Sequence, residues 1–403
     1  MKRRSMPTPT ELVCIQPCRA LVLAIAVMVT ACTVYPRPII ESSQADPPGS
    51  PTGIVTFMDE RPELHYRLIV VHGVGEHPPN FADAWMGSFA AAAHLTSSGT
   101  QSATVYDMGL TENHQPVPPG MQPFLEEYGF VHAYNGKRVD LRAYAVNWSP
   151  LTQPYKDHLI KDESPPRYTR KRASLNSDVK FTLLDANLLD AVMYAGAYKA
   201  TLKQALSDAL CRAIRDEGSN PVAEGPACSW SAISPDVART RRLLFFTHSL
   251  GGRMVFDVLT ELLKDESNNA AAYAALRNGF QVYLFANQIS LLELTDHPSP
   301  FQRETHDKEN AVTRFSRALR DVAQKANEPV SGQFVAFNDP NDVLSYQLPD
   351  HILSELGTAG RAANVTISNA PTWFGLIEDP TAAHDGYLTK GRVWRAVSEG
   401  VYD

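Results

Sequence analysis

Six apolar runs of strand length, separated by helix-patterned segments, constrain the fold more than any other feature of this chain. They are "HYRLIVVHG" (65–73), "VDLRAYAVNW" (139–148), "RLLFFTHS" (242–249), "FQVYLFANQ" (280–288), "GQFVAFND" (332–339) and "NVTISN" (364–369). Several are nearly continuous in apolar residues, the pattern of strands covered on both faces. Between and after them lie "FADAWMGSFAAAAHL", "RMVFDVLTELLKD" and "GRVWRAVSEGV", which carry helical periodicity. Strand and helix in turn predict an α/β fold, a mostly parallel sheet with helices on both faces. One part does not alternate. Residues 150–240 hold the long helical stretch "DVKFTLLDANLLDAVMYAGAYKATLKQALSDALCRAI" between two strand runs, and a helical insertion over one edge of the sheet is expected there. At 403 residues, 44% hydrophobic and 20% charged, the chain has room for one such domain with insertions.

The net charge of −7 argues against nucleic-acid binding, which needs a basic face. The densest basic run, "RYTRKR" (167–172), reads as solvated surface. Lys2, Arg3 and Arg4 precede the apolar "LVLAIAVMV" (21–29) and then Thr30-Ala31-Cys32. A basic start, a short apolar segment and a small-residue cleavage site make a secretory signal, too short to span a bilayer as a helix. "VTAC" is similar to the bacterial lipobox, whose cysteine becomes the acylated N-terminus. Residues 1–31 are therefore expected to be a lipoprotein signal peptide, with Cys32 carrying a palmitate-type anchor. Thr33 after it implies the outer membrane: the expected place is the bacterial cell envelope, lipid-anchored and facing the periplasm. Losing Lys2, Arg3, Arg4, Arg19 and Glu11 takes the net charge from −7 to −10. Residues 33–52, "TVYPRPIIESSQADPPGSPT", have little to bury, so 32–60 are expected as lipidated cysteine and flexible tether and 61–403 as the folded domain. With Cys14 and Cys18 removed and Cys32 acylated, Cys211 and Cys228 are a disulfide candidate, worth about 3 kcal/mol in the chain-entropy model.

The run "RLLFFTHS" continues as Thr247-His248-Ser249-Leu250-Gly251-Gly252 into an apolar-periodic helix, the layout of a nucleophile elbow. Residues two before and two after the serine should be small. Gly251 meets this, and Thr247 stands where glycine is usual. A serine nucleophile needs a base, an orienting acid and an oxyanion site. "LIVVHGVGEH" (68–77) runs a strand into His72-Gly73-Val74-Gly75, whose glycines let the backbone aim its amides; the expected donors are the amides of Val74 and Leu250. His65, His72 and His77 supply no metal-ligand spacing, and no metal or organic cofactor is called for. "FVAFNDPNDVLSYQLP" (334–349) sets Asp342 and Asp339 beyond a strand end. Asp342 is the preferred acid and Asp339 the alternative, and both also suit turn chemistry. "EDPTAAHDGYLTK" (378–390) sets His384, the candidate base, before the last helix, with Gly386 and Tyr387 shaping the turn behind it. His351 reads as a cap or surface residue, and His248 as packing beside the pocket.

From about residue 65 to 400 the chain resembles the α/β-hydrolase superfamily of the serine esterase/lipase kind, in the chain order Ser, Asp, His. The resemblance implies the α/β-hydrolase fold and a Ser249-His384-Asp342 triad that cleaves carboxylic (acyl) esters through an acyl-enzyme. The expected partners are a small-molecule or lipid ester and, through the anchor, the membrane. Thioesterases, acyltransferases and amidases use the same triad. A catalytically silent binding lipoprotein on this fold is the reading from another class, motivated by Thr247.

Overall fold

The structure is a computed structural model that describes residues 39–42, 51–100, 103–109, 115–163, 188–216, 226–265, 269–295, 310–372 and 378–402. The signal segment 1–31, Cys32 and the basic run 167–172 lie outside the described residues. Ten strands form one sheet: β1 (Ile39–Ser42), β2 (His65–Val71), β3 (Thr96–Thr100), β4 (Thr104–Val105), β5 (Phe124–Tyr134), β6 (Lys137–Asn147), β7 (Arg241–His248), β8 (Phe280–Phe285), β9 (Gly332–Asn338) and β10 (Gly360–Thr366). Their order is β1-β10-β9-β8-β7-β2-β6-β5-β3, with β4 paired to β5. The six strands from β10 to β6 run parallel. β1 lies antiparallel on β10, and β5 lies antiparallel to β6, β3 and β4.

The helices are α1 (Ile54–Glu60), α2 (Asp83–Ala92), α3 (Gln153–Glu163), α4 (Leu189–Ala195), α5 (Lys199–Arg215), α6 (Pro235–Arg239), α7 (Leu250–Lys264), α8 (Asn269–Leu276), α9 (Ile289–Leu292), α10 (Ala311–Ala326), α11 (Asp350–Gly357), α12 (Pro380–Asp385) and α13 (Gly391–Glu399). They cover both faces, as the apolar runs require. Ile69 and Val71 of β2 belong to one core with α5, α7 and α10, while Leu68 and Val70 belong to a second with α1, α2 and α13. A strand between two cores has no polar face to show, which is why β2 reads as unbroken apolar sequence. No described helix is long and apolar enough to cross a membrane.

Two expectations change, and one element was not anticipated. The main helix described within 150–240 does not sit over a sheet edge: α5 packs on β2 and β6, near the middle of the sheet, and against α7. The segment 32–60 is not wholly tether. Its residues 39–42 form the edge strand β1, and α1 buries Ile54, Phe57 and Met58. The Thr52 carbonyl accepts from Gln281 and Gln333, so the domain reaches upstream of residue 61. Finally, β5 and β6 form a hairpin around Asn135 (φ 47°) and Gly136 (φ 74°), the positive-φ pair that a two-residue hairpin turn requires.

The N-terminal ends of the parallel strands hold α5 in place. Arg67 Nε donates to the Ala213 carbonyl at 3.1 Å, Arg241 Nε to Ile214 O at 3.0 Å, and both guanidinium groups reach Asp216 O. Arg142 and Tyr144 donate to the Asp216 carboxylate. A helix C-terminus leaves carbonyls without intrahelical partners and carries partial negative charge, and buried arginines satisfy both. In the same region the structure joins Cys211 to Cys228, with Cα atoms 5.9 Å apart.

Candidate active site

Strand β7 ends at His248, and Ser249 turns the chain into α7 with φ 55° and ψ −121°. Left-handed φ on a non-glycine residue costs on the order of 1–3 kcal/mol and persists where the surroundings over-determine it. Ser249 N donates to Phe285 O of β8 at 2.8 Å, which extends the ladder one residue past the strand. The tightness comes from glycines. A Cβ on Gly251 would lie 2.5 Å from Val71 O, and one on Gly73 would lie 2.6 Å from the Ser249 Cβ. Gly251 is thus small because it meets the end of β2, not because it faces Thr247. Thr247 instead neighbours Gly252, and its hydroxyl donates to Tyr283 O at 3.2 Å. A threonine fits there without strain.

The expected oxyanion loop therefore lies against the serine. Its conformation is pinned by His72, which is fully buried. His72 Nε2 accepts from Trp148 N at 3.1 Å, so Nδ1 carries the proton and donates to Gly73 O at 2.7 Å. The Trp148 ring stacks on it at 4.6 Å. Burial, with His77 close by, holds the His72 pKa well below the ordinary histidine value, so the ring stays neutral and structural. The loop is also held from the insertion. Asp190 of α4 accepts the Gly75 amide at 2.7 Å and the Lys156 ammonium of α3 at 3.0 Å, with both side chains nearly inaccessible. Leu250 is the first residue of α7, so its amide has no intrahelical acceptor.

The acid loop follows β9. Asp342 accepts its own turn amide, Leu344 N, at 3.0 Å, and the Tyr387 hydroxyl donates to Oδ2 at 3.1 Å. His384 lies in the last turn of α12, which Asp379 caps and Pro380 starts. Its Nδ1 stands 2.9 and 3.0 Å from the two Asp342 oxygens. Asp339 does not reach the imidazole. It binds Asn341 N and Asn369 N, a turn role, and so leaves Asp342 as the histidine's partner.

With Nδ1–H given to Asp342, the neutral ring presents Nε2 as an acceptor. Nε2 is buried without a hydrogen-bond partner, and so is Ser249 Oγ. No bond joins the two in this structure. A buried hydroxyl without a partner costs roughly 1–3 kcal/mol, and such groups concentrate where chemistry is done. Sequence reasoning placed His248 beside the pocket and missed its bond: Nε2 donates to the His384 carbonyl at 3.1 Å and positions the histidine's backbone. Burial, reinforced by His384, lowers the His248 pKa to about 3. The set His248, His384 and Asp385 brings possible metal donors within 4.8 Å of one another. His248 Nε2 is engaged with the His384 carbonyl and His384 Nδ1 with Asp342. Lys156 and Asp190 were not legible in advance, because an ion pair between two helices of an insertion leaves no local pattern. Comparison of the chain with family models, with curated proteins and with solved structures returns no match.

Proposed function

We propose that this chain is a serine hydrolase of the α/β-hydrolase kind that cleaves acyl esters. The observation that carries the reading is the pair of buried, unpartnered atoms, Ser249 Oγ and His384 Nε2, one on a strained elbow and the other on an imidazole oriented by Asp342. Ser249 Oγ gives its proton to His384 Nε2 and attacks the ester carbonyl; hydrogen bonds of this kind tighten when substrate binds. The amides of Val74 and Leu250 receive the developing oxyanion, each donor contributing about 3 kcal/mol to the transition state. The imidazolium protonates the leaving alcohol. Water then releases the acyl group, with His384 acting as base again. On the same reading Cys32 carries the acyl anchor that places the enzyme on the periplasmic side of the outer membrane.

A fluorophosphonate probe tests the proposal, because only an activated serine labels rapidly. Wild type should label and hydrolyse p-nitrophenyl esters. Ser249→Ala should lose the label and at least about 10⁴-fold in kcat. Retention of either activity in Ser249→Ala, or an unreactive wild type, overturns it.

A further inference from the structure

Most of the large exposed hydrophobic residues among those described gather at one end of the molecule, Val401 after α13 being an exception. Val343 (59% exposed) and Tyr346 (44%) stand on the acid loop after β9, and Leu294 (66%) on the segment after β8. Tyr155 and Val192 are exposed on α3 and α4, whose Lys156 and Asp190 brace the oxyanion loop. Val105 of β4 pairs with Phe124, which lies opposite the last residue of β6. All belong to the C-terminal ends of the parallel strands, the end that carries Ser249. The other end is lined by His65, Arg67, Asp140, Arg142 and Arg241.

The chain enters the fold at the apolar end. β1 runs antiparallel to β10, so Ile39 pairs with Thr366, the last residue of that strand. Gln347 of the acid loop donates to Thr366 Oγ1 at 2.8 Å, which ties this corner to the segment bearing Val343 and Tyr346. Cys32 precedes Ile39 by seven residues. Even fully extended, that length spans at most about 25 Å.

The geometry points to a lipid bilayer as the partner of this end: the acyl group on Cys32 holds the end that carries Ser249 against the membrane, and the apolar rim sits in its interface. The inference deepens the hydrolase reading and rests on it for the substrate class, acyl esters of bilayer-resident lipids. An acyl anchor alone binds reversibly, and a second signal stabilises the attachment. Here the second signal is apolar. The processed chain carries a net charge of −10, so anionic headgroups do not attract it, and docking should proceed on zwitterionic vesicles and resist salt.

The test uses the full chain expressed and processed in a bacterial envelope, then reconstituted in phosphatidylcholine vesicles containing doxyl-labelled lipid. An environment-sensitive dye is attached to Val343→Cys, to Leu294→Cys as a second rim position, and to Asp236→Cys at the far end. Dye on either rim position should be quenched at least about threefold more than dye at position 236, in low and high salt alike. Equal or reversed quenching overturns the inference, as does recovery of Cys32 without an acyl group. Fluorophosphonate labelling of Ser249 in the same preparations reads the hydrolase assignment separately. A labelled serine with unquenched rim dyes removes the docking alone, and quenched rim dyes with an inert serine remove the substrate class.

Discussion

At the N-terminal ends of the central strands, Arg67 and Arg241 close on the last carbonyls of α5 and Arg142 on the Asp216 carboxylate. At the C-terminal ends, Ser249 and His384 keep buried polar atoms without partners, and Ser249 holds a backbone conformation that side chains avoid. The pairings of Arg67, Arg241 and Arg142 at the first end add to stability. At the second end the unpartnered Ser249 Oγ and His384 Nε2 subtract from it. The size of a cleft does not separate the two, since a cleft of about 520 Å³ opens among the arginines. What separates them is a strained serine beside an imidazole that Asp342 orients.

The contrast predicts opposite responses to mutation. The largest effect belongs to the acid. Asp342→Asn should lower kcat on p-nitrophenyl esters by about 10⁴-fold while leaving the melting temperature nearly unchanged, because the amide no longer favours the productive imidazole tautomer. Asp190→Ala comes next. It strands the Lys156 ammonium in the interior, so urea melts should show a loss of about 3–5 kcal/mol. The double change Lys156→Met with Asp190→Leu should restore much of that stability but not kcat, since the Gly75 amide stays unbraced. Replacing Cys211 and Cys228 with serine should cost about 3 kcal/mol in the same melts. Arg67→Met at the other end should cost roughly 1–3 kcal/mol by leaving carbonyls of α5 unpaired, with kcat unaltered. If Arg67→Met lowers kcat as well, the two ends are coupled and the comparison fails.

A further effect is graded with pH. Burial depresses the pKa values of His77, to about 4, and His248, to about 3, so the native state stays unprotonated where the unfolded chain, near 6.5, takes up protons. Stability is therefore complete above about pH 6.5 and declines as the pH falls toward those native values. The slope is up to about 1.4 kcal/mol per unit for each histidine. Urea midpoints measured at pH 7, 5.5 and 4.5 should fall in step, and more gently in His248→Asn.

The parts legible in sequence are those with a local signature. The strand-turn-helix around Ser249, the glycines after His72 and the loops holding Asp342 and His384 each announce themselves within about a dozen residues, and the structure brings Asp342 to His384 and Gly73 to Ser249. Both-face burial of the central strands reads directly as unbroken apolar runs. The hairpin was legible but passed over, since "YNGK" at 134–137 carries the asparagine-glycine turn signal. Other features could not be read. β1 is four residues beside proline, and the strand it pairs with, β10, lies more than three hundred positions away. The Lys156–Asp190 pair joins two helices across 34 positions, and nothing in either local pattern marks an acid or a base that will be buried.

Strand β1 also has a protective consequence. By capping β10 it covers the backbone amides and carbonyls of a strand whose Ala362, Ala363 and Val365 are buried. A version of the chain trimmed to begin at residue 51 would bare that row and offer it to a second molecule, since open edge strands template self-association. Trimming the chain past β1 would therefore leave an edge prone to self-association.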